Sequence, residues 1–268
     1  MTDRDPDEAE PMMFFIQTRP GHARTDEFAE HLGTLIDTGG GEVVDDPDKS
    51  DMVISVGGDG TMLAAAHLAL GAGVPVVGFN LGTMGFLAHA EADEAEAVVD
   101  RLLAGDYAVE ERMTVDASLD GRERTAVNDV VVEKVDTTRL VVLRVTIDGD
   151  PFVTYRADGL ILASPTGSTA YSFSAGGPLV DPRLRALVMT PVAAHSLFDR
   201  ALVLPEDTVI DIEVVSDRSV RVNVDKDGLG ELREGQRLTV RAGERRLKFV
   251  VLRPGGFTGV VRDKFGLG

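Results

Sequence analysis

The chain has no cysteine among its 268 residues, which excludes disulfides and thiolate metal sites. It has no apolar run near the roughly 18 residues that a bilayer span requires. The opening MTDRDPDEAEPMMFFIQ lacks the basic start and the long apolar stretch of a secretory signal. Residues 1–11 read as a disordered acidic lead-in, and cytoplasm is the default compartment. Tryptophan is absent and lysine is scarce, with 5 Lys against 22 Arg. Acid is abundant: 45 Asp and Glu face 27 Lys and Arg, a net charge of −18. That balance argues against nucleic acid as the main partner. Acidic residues spread along the chain, with few lysines, suit a surface adapted to molar salt, where screening shortens to a few Å. The plainer alternative is an ordinary acidic protein.

What is present is a globular composition, 43% apolar, in a chain long enough for one or two domains. The first hundred residues alternate strand-like and helix-like patterns. MMFFIQ (12–17), DMVISV (51–56) and VPVVGF (74–79) read as buried strands. The spacing predicts helices over 22–37, 61–70 and 92–104, and the triple glycine 39–41 stops the first. Such alternation implies a parallel sheet with helices on both faces. From about Tyr107 the pattern becomes strand, turn, strand, with Asp120-Gly121 and Asp148-Gly149 as hairpin signals. The expected organisation is an α/β domain over 12–107, a β-rich domain over 108–252 and a terminal segment 253–268 packing back on the first domain.

Asp-Gly occurs at 59, 120, 148, 158 and 227. At 120 and 148 alternating strands flank it, and it is a turn. At 59 it sits in SVGGDGTMLAAAH, between a buried-type strand and a helix. A glycine loop there exposes backbone N–H groups that can cradle phosphate, and Thr61 is placed to cap the helix. It is neither the GxGxxG dinucleotide fingerprint nor a Walker A loop. On composition alone a structural turn and a phosphate site are equally open. A second dense stretch, YRADGLILASPTGSTAYSFSAGGP (155–178), puts Arg156 and Asp158 two apart at a strand end, then many hydroxyls and glycines. Such residues hydrogen-bond ribose or amide groups and let backbone approach closely, so a binding loop is favoured over a solvated one. Asn128-Asp129 interrupts a β-branched run, which suits a bulge, an edge, or a strand end facing a ligand. His195 reads as a packing or surface histidine. No His, Asp and Glu cluster has metal-ligand spacing.

Together these stretches resemble the NAD kinase family. GGDGT (57–61), NLGTMGFLA (80–88), ND (128–129) and DGLILASPTGSTAYSFSAGGP (158–178) stand in the family's order, and TPVAAHSL (190–197) fits as well. GGDGT alone is weak, since diacylglycerol kinases and phosphofructokinases carry similar loops; with the long hydroxyl-rich stretch it is specific. The resemblance implies the NAD kinase fold, an N-terminal Rossmann-like α/β domain plus an all-β C-terminal domain. It implies phosphoryl transfer from ATP or polyphosphate to the 2′-hydroxyl of the adenosine ribose of NAD, with Mg²⁺ or another divalent cation. It puts Asp59 at the 2′-hydroxyl as proton acceptor, in a loop with Gly57, Gly58, Gly60 and Thr61. Asn128 and Asp129 fall on ribose and adenine groups, Asp158 with Arg156 near the nicotinamide end, and Thr169, Ala170, Tyr171, Ser172 and Ser174 around the dinucleotide. Phe79 on the adenine side, Arg139, Ala193 across a subunit interface and Lys226 complete the set. A homodimer or homotetramer, no nucleic acid, no membrane and a salt-loving archaeal source are the remaining expectations. The alternatives are a diacylglycerol-type lipid kinase and a non-catalytic dinucleotide sensor.

Overall fold

The apolar runs near the N-terminus lie side by side in one sheet. In the computed structural model, which describes residues 10–19, 21–82, 85–87, 90–136, 138–252 and 256–267, Met13–Gln17, Met52–Val56 and Val76–Asn80 are parallel neighbours. Most of the acidic lead-in, and Thr83, Met84 and Ala88 of the NLGTMGFLA stretch, fall outside those residues. Glu42–Val43 flanks the first strand and Ala90–Glu91 pairs with the third. Met52–Val56 and Val76–Asn80 are buried along their whole length, as strands covered on both faces are. On one face Phe14, Ile54, Val77 and Phe79 meet Leu32 and Ile36 of the helix Ala23–Thr38 and Val99 and Leu102 of the helix Ala95–Leu103. The helix Asp59–Ala72 is absent from that cluster and buries Met62, Ala65 and Ala69 on the other face.

The last strand, Leu247–Val251, returns to this sheet beside Val76–Asn80, with Val250 and Leu252 in its core. The chain accordingly divides into one unit of residues 1–110 with 247–268 and a second of residues 111–246. The sequence pattern runs the β-rich domain on to 252 because a strand that changes sheet looks like any other strand. The helix Gly256–Phe265 belongs to the first unit, where Phe265 lies 6.2 Å from the ring of Phe86 and Lys264 Nζ stands 4.8 Å above it.

The second unit holds two six-stranded antiparallel sheets. One runs in the order Asp150–Ala157, Val141–Ile147, Ile210–Val214, Arg237–Ala242, Val115–Leu119, Arg122–Ala126. The other runs Leu202–Pro205, Ala186–Val192, Gly159–Ala163, Asp129–Lys134, Val220–Val224, Asp227–Leu232. Asp120 and Gly121 (φ 51° and 75°) and Asp148 and Gly149 (φ 50° and 85°) make hairpin turns with two left-handed residues. Every second residue of Val115–Leu119, Ile210–Val214 and Val220–Val224 is buried, and the two sheets share an aliphatic core containing Leu143, Leu160, Leu187, Ile212 and Leu238. Gly159–Ala163 is buried on both faces: Leu160 and Leu162 point into that core, and Ile161 and Ala163 join Val131, Val180 and Val188 in a second cluster. The chain changes sheets at Val127-Asn128, between Arg122–Ala126 and Asp129–Lys134. Among the described residues no helix is long and apolar enough to cross a membrane.

Candidate active site

In the first unit the glycine loop follows a fully buried strand. Gly57 (φ 150°) lets the backbone turn; a Cβ there would sit 2.6 Å from Thr61 Oγ1. The helix starts at Asp59, two residues before the expected Thr61, because Gly58 serves as its N-cap without a side chain. Thr61 is therefore a first-turn residue packed against Gly57 rather than the cap. Gly58 and Gly60 are exposed, with nothing within 4 Å of where a Cβ would stand. Their open backbone at a helix N-terminus is the environment in which N–H groups and the helix dipole receive an anion.

Asp59 is half-buried, and its position is set from the segment after Val76–Asn80. Phe86 N–H donates to its Oδ2 and Leu87 N–H to its Oδ1, both at 3.3 Å. Gly85 lies so close that a Cβ there would clash with Asp59 Oδ1 and stand 2.6 Å from Cγ. Gly85, Phe86 and Leu87 were legible only as part of a stretch, and their task depends on Asp59, 26 to 28 residues earlier in the chain. Phe79 is fully buried in the core, its ring edge-on to Phe28 at 5.6 Å.

In the second unit, Asn128, Asp129 and the segment from Ser164 meet at one end of neighbouring strands. Asp129 lies opposite Ala163, and Ser164 N–H donates to Asn128 O at 2.8 Å. The sheet change explains the two polar residues in a β-branched run: Asn128 is at the corner and only Asp129 enters the strand. Gly167 makes the corner possible, since a Cβ there would lie 2.6 Å from Asn128 Cα. Asp225, which the sequence marks only as the residue before Lys226 in VNVDKDG, supplies its carboxylate to three consecutive N–H groups, those of Val127 (2.8 Å), Asn128 (2.8 Å) and Asp129 (3.1 Å). Burial, and secondarily the Asp225 charge, push the Asp129 carboxyl up to about 7.

The hydroxyl-rich loop divides into two sets. Ser164 Oγ donates to Val127 O (2.6 Å), Ser168 Oγ to Pro165 O (2.7 Å), and Ser172 Oγ meets Thr190 Oγ1 at 2.9 Å; all three serines are fully buried. Ser172 thus braces the loop from within. Thr169 and Ala170 are half-buried, and Tyr171 and Ser174 are exposed. At the opposite end of the same strand pair, Gly159 stands across from Glu133, and Asp158 pairs with Lys134, a partner the sequence alone does not announce. Four steps of about 3.3 Å put this end roughly 13 Å from Asp129. Arg156 is exposed, and its carbonyl accepts from His195 N–H at 2.7 Å, bringing the Ala193 segment (Ala193 φ 47°) beside it. Arg139 and Lys226 are exposed, Lys226 in the turn next to Asp225. Among the described residues no group of three His, Asp or Glu is arranged to hold a metal ion. Mg²⁺ needs none, since it commonly keeps its waters and binds one or two carboxylates together with substrate phosphates.

Two family descriptions match this chain: the ATP-NAD kinase N-terminal domain over residues 28–107 and the ATP-NAD kinase C-terminal domain over 127–252. An NAD kinase of Heliobacterium modesticaldum is 42% identical over 224 residues, 81% of this chain and 79% of the relative. NAD kinase 2 of Streptomyces avermitilis is 42% identical over 226 residues, 82% of this chain and 75% of its own. Among solved structures, yeast NADH kinase complexed with NADH superposes with a TM-score of 0.87, covering 99% of this chain and 93% of that one. An Archaeoglobus fulgidus NAD kinase in complex with ATP gives 0.76, covering 95% and 98%. Both are 24% identical and speak for the fold.

Proposed function

The chain belongs to the NAD kinase family, and from that premise we propose that it transfers the terminal phosphoryl group of ATP to the 2′-hydroxyl of the adenosine ribose of NAD, giving NADP. The observation that carries the reading is the setting of Asp59: a carboxylate at a helix N-terminus, beside open glycine backbone, steadied by two N–H donors. Phosphoryl transfer asks for positioning and charge neutralisation more than covalent help. Asp59 orients the 2′-hydroxyl and takes its proton late, as the ribose oxygen bonds to the γ-phosphorus and the bridging oxygen leaves with ADP. Backbone N–H groups of Gly58 and Gly60 receive phosphate oxygens, while that of Gly57 is spent on Phe79 O at 3.0 Å. Asn128 and Asp129 hold ribose and adenine groups, and Thr169, Ala170, Tyr171 and Ser174 border the dinucleotide. Asp158, paired with Lys134 and near Arg156, takes the nicotinamide end, with Arg139, Ala193 and Lys226 in supporting positions. A divalent cation would neutralise phosphate charge on the donor, with Asp59 the carboxylate available to it. Polyphosphate as a second donor, a cytoplasmic homodimer or homotetramer and a salt-adapted surface belong to the same proposal.

The test is Asp59→Asn. NADP formation is expected to fall by a factor on the order of 10³, within the range of a lost general base, while NAD affinity stays close to that of the unaltered protein. Near-normal turnover removes Asp59 from the mechanism. Presenting NAD, NADH and diacylglycerol side by side, with ATP and polyphosphate as donors, separates the kinase readings, and NAD binding without NADP formation under all donors identifies a sensor.

A further inference from the structure

The corner at Val127-Asn128 poses a backbone problem. As the chain leaves one sheet for the other, the ladders of neither sheet supply partners to three consecutive N–H groups. The Asp225 carboxylate accepts all three, and the Asp225 N–H donates back to Asp129 O at 2.8 Å. Ser164 secures the corner's carbonyls, through N–H to Asn128 O (2.8 Å) and Oγ to Val127 O (2.6 Å). An aspartate fits the position on two counts. Its φ of 51° lies in the left-handed region that Asp and Asn tolerate and bulky residues avoid. Its short side chain carries two acceptor oxygens and no donor, so each of three N–H groups can find one.

We propose that Asp225 is a positioning residue for the NAD-binding corner: its carboxylate holds the backbone of Val127, Asn128 and Asp129 in the place where Asn128 and Asp129 meet the dinucleotide. The proposal rests on reading Asn128 and Asp129 as NAD contacts. Asp129 is 5% exposed and has few other charges around it. Ala163 lies opposite on Gly159–Ala163, and the segment beyond brings the hydroxyls of Ser164, Thr166 and Ser168. The turn after Val220–Val224 brings Asp225 and exposed Lys226, and Arg124 of Arg122–Ala126 is paired with Asp227 at 3.7 Å. Burial first, and the Asp225 charge second, push the Asp129 carboxyl up to about 7. A ribose hydroxyl donates best to the ionised form, and NAD binding should therefore tighten as pH rises through that value.

The test is Asp225→Asn, which keeps the size and the tolerance of left-handed backbone and removes the charge. NAD affinity is measured by calorimetry from about pH 5.5 to about 8.5, and the Asp129 carboxyl is followed by carbon-13 NMR. Affinity at the alkaline end is expected to drop on the order of tenfold, as for a lost charged hydrogen-bond acceptor, and the Asp129 midpoint to move to lower pH. A residue that only stiffened the fold would lower the melting temperature and leave that midpoint in place, which overturns the proposal, as do unchanged affinity and midpoint together. If Asp225→Asn does not fold, Asp129→Asn carries the test: NAD affinity independent of pH supports the pair, and the wild-type pH dependence persisting without the Asp129 carboxyl overturns it. Asn128→Ala keeps the two levels apart. Undiminished NAD affinity there sinks the reading of the corner as an NAD contact, whereas the Asp129 midpoint in Asp225→Asn reports the positioning device directly.

Discussion

Gly85→Ala is the sharpest small perturbation of the proposed chemistry. The added Cβ would clash with Asp59 Oδ1 and lie 2.6 Å from Cγ, where ordinary contact begins at 3.4 Å. The carboxylate has to retreat by about an ångström, and the retreat also stretches its 3.3 Å bonds from Phe86 and Leu87 N–H. Displacing a group that must align with a reacting hydroxyl by that distance costs roughly a hundredfold in rate, or about 2.7 kcal/mol of barrier. The assay is kcat for NADP formation, with the NAD dissociation constant and melting temperature measured alongside. A lowered kcat with NAD affinity held is the expected outcome, because Asn128, Asp129 and the 164–174 segment belong to the other unit. Gly71→Ala in the helix Asp59–Ala72, which Asp59 begins, is the control. Nothing stands within 4 Å of its Cβ position, and the change is expected to stabilise the helix by about 0.5–1 kcal/mol without touching kcat. Wild-type kcat in Gly85→Ala would refute the claim that Asp59 works from this placement.

Asp129 carries a stability prediction with a defined sign. Its folded value of about 7 lies above the ordinary 3.8, so the native state binds the proton more tightly than the unfolded chain. The carboxyl costs no stability below about pH 3.8; its penalty grows as pH rises towards about 7 and is complete above it, reaching a few kcal/mol. Asp129→Asn is accordingly expected to raise the melting temperature at about pH 8 more than at about pH 5, while weakening NAD; equal effects at both pH values would count against a buried, proton-binding Asp129. The net charge of −18 predicts that KCl up to about 2 M raises the melting temperature, because screening relieves self-repulsion and exposed ion pairs such as Arg237 with Glu213 contribute little. A melting temperature that falls with added KCl would remove the salt-adapted reading.

How much of the protein could be read from the sequence depends on whether a residue's reason for being there is local. The alternation of strands and helices, the Asp-Gly hairpins at 120 and 148 and the βα setting of the glycine loop are local facts, and the structure follows them to within a few residues. The hydroxyl-rich stretch announced a loop of unusual chemistry, but a serine that braces and a serine that faces outward have the same composition. Only the one-turn helix Tyr171–Ser174, which buries Ser172 and exposes Ser174, tells them apart. Phe79 drew notice because it directly precedes NLGTMGFLA, yet its strand is buried along its whole length. The tasks of Gly85, Lys134 and Asp225 were hidden from sequence for a common reason. Each answers a need created elsewhere in the chain: room for the Asp59 carboxylate, a countercharge for Asp158, acceptors for N–H groups stranded at a sheet change. Such needs arise only once the sheets have formed. The residues that meet them look like ordinary glycine, lysine and turn aspartate until the fold shows what they oppose, and substitutions at these three positions are therefore the ones whose effects sequence pattern would most underestimate.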